Sequence, residues 1–468
     1  MSLAKRITKN VISLTILEIA SKLLSFVLVI FLARYLGDAK FGQYNFILSF
    51  IMLAGILTDL GLTTLAIRDL SRDISQARKN LGNITLLKIF LSTVSIISAI
   101  VVINLMHYPD EIRLAVYLMT PTLLFNSISP TYIYRAFKKM ETEAIVGITI
   151  NALTAGLTLG ALFLGYGLIS VILIALIGSA IGFVLNWLVV LKKFIKPIFE
   201  INFVVLKNTL RKALPFGLTA VFVMLYVKID TIMLSVMKGD AVVGWYGAAY
   251  SLVLALNFIP GVFIHSIFPE FSELFVKSKE KMIHLYKLVY KCLFIIGLPI
   301  TIGIILLADK FILLFYDSGY ANSIMALQIL SGIIAIGFLN WLSGTALNSI
   351  NKQKLFAAVV GFGAVFNILL NLLLIPKYSL IGAGIATVLT ELLVFISMHY
   401  FASKYVYKIN LLRVMAKPIL AGAIMGIFIF YFRNINLLLL IISSIIIYFG
   451  ILFAIKGIKK EEINLIKK

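Results

Sequence analysis

Cysteine is almost missing from this chain of 468 residues: Cys292 stands alone, so no disulfide can close within it. Charge is scarce too. Asp, Glu, Lys and Arg make up 13% of the residues, against about 25% in an average soluble domain. Acid is scarcer still, with 20 Asp plus Glu facing 42 Lys plus Arg. The four histidines, His107, His265, His284 and His399, lack metal-ligand spacing. There is no Gly-x-Ser-x-Gly, no His-Glu-x-x-His and no phosphate-cradling Gly-rich loop. No acidic pair falls in a connection long enough to build a catalytic site. These absences argue against a disulfide scaffold, an enzyme and an ATP-driven pump. The hydrophobic content of 61% and the mean hydropathy of +1.05 then exclude an ordinary water-soluble globule.

A bilayer core takes about 20 apolar residues per helix. Fourteen such intervals are present: 11–33, 44–67, 84–106, 114–134, 144–164, 167–191, 214–237, 244–269, 288–308, 322–350, 355–375, 380–402, 414–432 and 437–455. The alternating ten-residue segments of a membrane β-barrel are absent. The apolar run after the basic opening MSLAKRITKN exceeds 20 residues and has no cleavage site, so it reads as a first span, not a signal peptide. Lys and Arg alternate with the spans. Most of the 42 fall in the connections on the side of the N-terminus, and few on the other. By the positive-inside rule both termini are then cytoplasmic, and most of the net charge of +22 reflects orientation in the plasma membrane, not nucleic-acid binding. Lys22 and Lys228 are assigned to span interiors, while Lys88, Lys291 and Lys417, at the inner ends of their intervals, are counted with the adjoining cytoplasmic connections. The segment 198–213 reads as an amphipathic helix on the inner leaflet or as a plain linker.

The chain repeats itself. LARYLGDAKFGQYN at 32–45 and LSVMKGDAVVGWYG at 234–247 share Gly-Asp-Ala-x-x-Gly-x-Tyr at the same outer hairpin. Six helices separate the copies, which predicts parallel repeats related by an axis along the membrane normal. The resulting plan is all-α. A six-helix bundle spans 1–191, a cytoplasmic linker 192–213, and a second six-helix bundle 214–402. Helices 13 and 14 with a basic tail occupy 403–468. Pro121, Pro130, Pro215, Pro260 and Pro299 are candidate kinks.

Ionisable groups inside spans are costly and mark a working path. Glu18 and Lys22, four apart, share one helix face and either pair locally or offer Lys22 to an anion. Asp59 lies in the second span. Lys228 and Asp230 are about 200° apart around one helix and cannot pair with each other. Glu391 sits in the middle of the twelfth span.

The stretch EIASKLLSFVLVIFLARYLGDAKFGQYNFILSFIMLAGILTDLGLTTLAIRDLSRD at 18–73, followed by KNLGNITLLK at 79–88, resembles the opening of the polysaccharide flippases. These belong to the multidrug/oligosaccharidyl-lipid/polysaccharide (MOP) exporter superfamily, with the MATE-type extruders. The resemblance implies two bundles forming a V around a cationic cavity that takes a polyprenyl-diphosphate-linked oligosaccharide by alternating access. It also implies the bilayer and glycan-assembly enzymes as partners, and no nucleic acid. Lys22 and Lys228 are the residues offered to the diphosphate, beside Glu18 and Asp59. Arg34 at the outer end, and Arg68 and Arg135 at the inner ends, are placed to steer phosphates. Some members bind Na⁺ in the second bundle. The positions here that match are Asp230, Asn367, Asn371 and Thr387, with Glu391 one turn from Thr387. Asn371 departs from the pattern, which has a second carboxylate there. No other cofactor is implied; Na⁺ or H⁺ is the coupling ion expected. A cation-coupled multidrug exporter of the same fold, and a membrane glycosyltransferase or polymerase, are the alternatives. Lys in both halves disfavours cationic drugs, and short outer loops disfavour the enzyme.

Overall fold

The structure, a computed structural model, describes residues 3–199 and 202–457; the side chains of residues 3–20 and of some within 71–76 and 262–276 lie outside the description. Two compact units divide the chain, Met1–Gly244 and Trp245–Lys468. The first contains α1 (Leu3–Asp59), α2 (Leu62–Arg72), α3 (Ala77–Leu105), α4 (Asp110–Ile128), α5 (Tyr132–Ala136), α6 (Met140–Phe163), α7 (Leu168–Lys193) and α8 (Phe203–Lys238). The division falls inside α9 (Asp240–Ala255). The second unit continues with α10 (Phe258–Lys277), α11 (Lys279–Phe315), α12 (Ser323–Leu330), α13 (Ile333–Ser349), α14 (Gln353–Tyr405), α15 (Leu411–Tyr431) and α16 (Leu437–Ala454). Among the described residues there is no strand.

The helices are built inside out. On α3 the apolar side chains of Phe90, Val94, Ile97, Val101 and Leu105 form an exposed stripe at helical spacing. The opposite face buries Thr85, Lys88, Ser92 and Ser95. Water would reverse this arrangement; lipid favours it. Nine helices are long and apolar enough to cross a membrane, or eleven if each of two bent pairs is one span, among the described residues. The expected intervals outnumber these partly because helices run on. Intervals 11–33 and 44–67 share α1 up to Asp59, interrupted at Gly37. Intervals 355–375 and 380–402 share α14, interrupted at Ser379.

Gly37 takes φ 72°, ψ 170° and Gly239 takes φ 86°, ψ 176°. These first glycines of the two repeat motifs thus hold one backbone conformation, in a region essentially reserved for glycine. The second glycines meet crosswise. A Cβ on Gly42 would overlap the Asp240 carbonyl, and a Cβ on Gly244 would overlap the Asp38 carbonyl. Gln43 adds a bond from Nε2 to Asp240 Oδ2 at 3.0 Å.

Three expectations change at the level of elements. The stretch 198–213, read as either a surface helix or a plain linker, is helical from Phe203 and runs unbroken into the seventh span as α8. Asn202 accepts from the Val204 and Val205 amides and sets that start. The second span ends at Asp59, where α2 bends away by 47°. Pro121 and Pro215 lie within continuous helices, Pro130 falls between α4 and α5, and Pro299 precedes by eight residues the break of α11 at Leu307; the other non-helical breaks fall at Gly37 and Ser379.

Apolar clusters hold each unit together. In the first, Leu62, Leu65, Ile84, Leu87, Ile133 and Tyr134 pack at one end, and Phe46, Ile47, Ile112, Val116 and Ile172 form a second cluster. In the second, Leu307, Ala421, Met425, Leu440 and Tyr448 join α11, α15 and α16.

Candidate functional site

In the first unit the structure redistributes the expected charges. Lys88 was counted with a cytoplasmic connection, but it is 3% exposed and sits inside α3. Its ammonium lies 2.9 Å from Asp59 Oδ1. It also donates to Thr63 Oγ1 at 2.8 Å and to the Ser127 carbonyl at 3.0 Å, and it faces the Tyr132 ring at 5.5 Å. Asp59 in turn accepts from the Gly61 and Thr63 amides and, at 2.5 Å, from the Thr63 hydroxyl. Asp59 therefore caps the bent start of α2 while neutralising Lys88, so it is an anchored counter-ion. The clue in the sequence was a lone lysine in the apolar run LLKIFLS at 86–92.

The other cations differ in their surroundings. Lys228 is half-buried on α8, ten residues before Lys238, which is about 15 Å along the axis. Among the described residues no carboxylate pairs with it. Lys22 and Arg34 are exposed on α1. The Glu18 side chain lies outside the described residues, so its pairing with Lys22 does too. Arg68 bonds Asp69 and lies over the Phe216 ring at 5.5 Å. Arg135 forms a fork with Glu143 at 2.8–3.0 Å.

The expected cation ligands fall in both units. Asp230 belongs to the first, 4% exposed on α8. Asn367, Asn371, Thr387 and Glu391 belong to the second, all on α14. The break at Ser379 (φ 53°, ψ −134°) folds α14 into a hairpin, and Gly382 lets its arms approach the Leu374 carbonyl closely. Asn371 Nδ2 then donates to Asn367 Oδ1 at 2.9 Å, and Asn367 Nδ2 to Thr390 Oγ1 at 3.5 Å. Tyr246 OH meets Thr387 Oγ1 at 3.2 Å. Asn367 is 1% exposed, Asn371 0% and Thr387 7%. The result is a buried cluster of neutral side-chain oxygens. The Glu391 carboxylate accepts from Asn340 Nδ2 at 2.5 Å, which ties it to α13. Thr390, Tyr246 and Asn340 were not anticipated. Thr390 had a signal, three residues beyond Thr387 on one helix.

Residues 7–275 match the family described as polysaccharide biosynthesis protein. A protein of Shigella dysenteriae named as an O-antigen transporter is 24% identical over 399 residues, covering 83% of this chain and 98% of the relative. The Haloferax volcanii protein named as the low-salt glycan biosynthesis flippase Agl15 is 22% identical over 433 residues, with 90% and 89% covered. Among solved structures, the lipid II flippase MurJ in an inward closed conformation aligns with a TM-score of 0.78 at 16% identity, covering 94% of this chain and 98% of that one. That likeness shows the fold. With a family match over more than half of its length and this fold around it, the chain belongs to the polysaccharide biosynthesis protein family of multi-pass membrane proteins.

Proposed function

We propose that this chain is a transporter, not an enzyme, and that it flips a polyprenyl-diphosphate-linked oligosaccharide from the cytoplasmic to the outer leaflet of the plasma membrane. The family and the names of the relatives support a lipid-linked glycan as cargo. The observation in this chain that carries the reading is Lys228, an ammonium at membrane depth without a carboxylate partner among the described residues. Such a group is costly in a bilayer unless an anion joins it. A diphosphate supplies that anion, and Lys22 on the first repeat supplies a second positive contact. Asp59 drops out of the binding set because Lys88 neutralises it. Arg68 and Arg135 keep their carboxylates and serve at most as steering charges. In this reading the bundles 1–191 and 214–402 alternate access, with both termini cytoplasmic, and glycan-assembly enzymes deliver the cargo.

The reading extends to a coupling ion. Asp230 supplies one carboxylate, and Asn367, Asn371 and Thr387 supply neutral oxygens, the hard ligands that Na⁺ accepts. Glu391, one turn from Thr387, remains a candidate in the set, its carboxylate also accepting from Asn340 Nδ2. The test is translocation of a lipid-linked oligosaccharide in proteoliposomes. Lys22→Ala and Lys228→Ala should each slow it at least tenfold; unchanged rates in both would overturn the cationic site.

A further inference from the structure

A cavity of about 410 Å³ opens inside the first unit between α1, α4, α6 and α7. Asn126, Ser129, Asn151, Thr154, Ser179 and Asn186 line it, and among the described residues no Asp, Glu, Lys, Arg or His does. Asn151 is at the middle of α6 and Ser179 near the middle of α7. At 1.5 Å per residue both lie close to the midpoints of their helices, deep in an apolar region.

Polar residues at such depth often serve as glue between helices. The bonds here point elsewhere. Thr154 Oγ1 donates to the Ile150 carbonyl at 2.8 Å, and Asn186 Nδ2 to the Gly182 carbonyl at 2.8 Å, each within its own helix. Among the described residues, the side-chain bond from Ser179 Oγ to Asn126 Oδ1, at 2.8 Å, joins two helices, and the Asn186 carbonyl accepts from Tyr134 OH at 3.3 Å. The Ser129 hydroxyl, on a residue 9% exposed, is buried with no partner. The Asn151 amide bonds no protein group among the described residues. These groups are held in place with capacity to spare.

We infer that this cavity, lined by Asn126, Ser129, Asn151 and Ser179, is a subsite for an uncharged sugar residue. It rests on the flippase reading and deepens it by giving the glycan a place apart from the diphosphate. Amides and hydroxyls both donate and accept, as sugar hydroxyls do. The lack of any fixed charge suits neither a phosphate nor a cationic drug. Tyr44 and Phe183 add apolar wall for the C–H face of a pyranose ring. The volume lies in the range of small-molecule sites, about 300–1,000 Å³.

The test uses the full chain in lipid nanodiscs. Binding of a panel of free neutral tetrasaccharides, chitotetraose among them, is measured by calorimetry, with a uronic-acid tetrasaccharide alongside. The parent should bind at least one neutral probe, and Asn151→Leu and Thr154→Val should weaken that binding at least tenfold. Thr149→Val, on the same helix but outside the cavity, should not change it. Both cavity variants keep the branching of the side chain, and their thermal unfolding is checked against the parent. In proteoliposomes the same variants should slow a lipid-linked oligosaccharide at least fivefold and leave the sugar-free polyprenyl diphosphate unchanged. No neutral probe bound by the parent, equal binding by all variants, tighter binding of the acidic probe, or equal slowing of both lipids would each overturn the subsite. A parent that binds free tetrasaccharide but moves no lipid-linked sugar would sink the flippase reading and leave the subsite standing.

Discussion

Lys88 shows how burial changes the meaning of one residue. Its side chain is 4% exposed and that of Asp59 is 34% exposed. Removing the lysine strands a half-buried carboxylate and empties a packed site. Lys88→Met should therefore lower stability by about 2–4 kcal/mol, toward the range for breaking a buried pair. Thermal unfolding in detergent measures this, and Asp59→Asn added to Lys88→Met should recover part of the loss. Arg68→Met, whose ion pair is exposed, should change stability by less than about 1 kcal/mol. The neutral nest on α14 makes a different prediction. Asn371→Asp adds a carboxylate beside Asn367, so the Na⁺ concentration that half-stabilises the protein should fall about tenfold, or 1.4 kcal/mol. An unshifted midpoint would count against a Na⁺ site there. Lys228 was legible from the sequence because it interrupts an apolar run. Lys88 does the same, but the charge count absorbed it, and the partner that explains it is 29 positions away at Asp59.

At the scale of elements, the repeat motif is where sequence and backbone agree most closely. Gly37 and Gly239 each sit where an L side chain is strained, so Gly37→Ala and Gly239→Ala should each cost about 1–3 kcal/mol in thermal unfolding. Gly147, on α6, has open space around its Cβ position. Gly147→Ala should be neutral or stabilise by about 0.5–1 kcal/mol through helix propensity. The internal identity of the two motifs was visible in the chain. That Gly42 lies against Asp240 and Gly244 against Asp38 was not, because a repeat reveals likeness and not contact. Likewise the breaks at Leu307 and Ser379 fall near Pro299 and Pro376 without falling on them. Neighbouring helices decide where a weakened backbone yields.

For the whole molecule, the flippase reading predicts that an inward Na⁺ gradient speeds translocation in the parent and not in Asp230→Ala or Asn367→Ala. Proteoliposome transport with K⁺ substituted for Na⁺ checks it, and a parent indifferent to the exchange would remove Na⁺ as the coupling ion. Hydropathy by itself determined the solvent and the helical class, because a bilayer admits only backbones that satisfy their own hydrogen bonds. The Gly-Asp-Ala-x-x-Gly motif determined the duplication. Tertiary structure alone decided which ionisable groups are already answered: Asp59 by Lys88 and Arg135 by Glu143. It alone gathered Asn126, Asn151 and Ser179 around one uncharged cavity. Composition reports how many polar groups lie in apolar runs; only the packing of the helices fixes which of them are satisfied and which are left to meet a ligand.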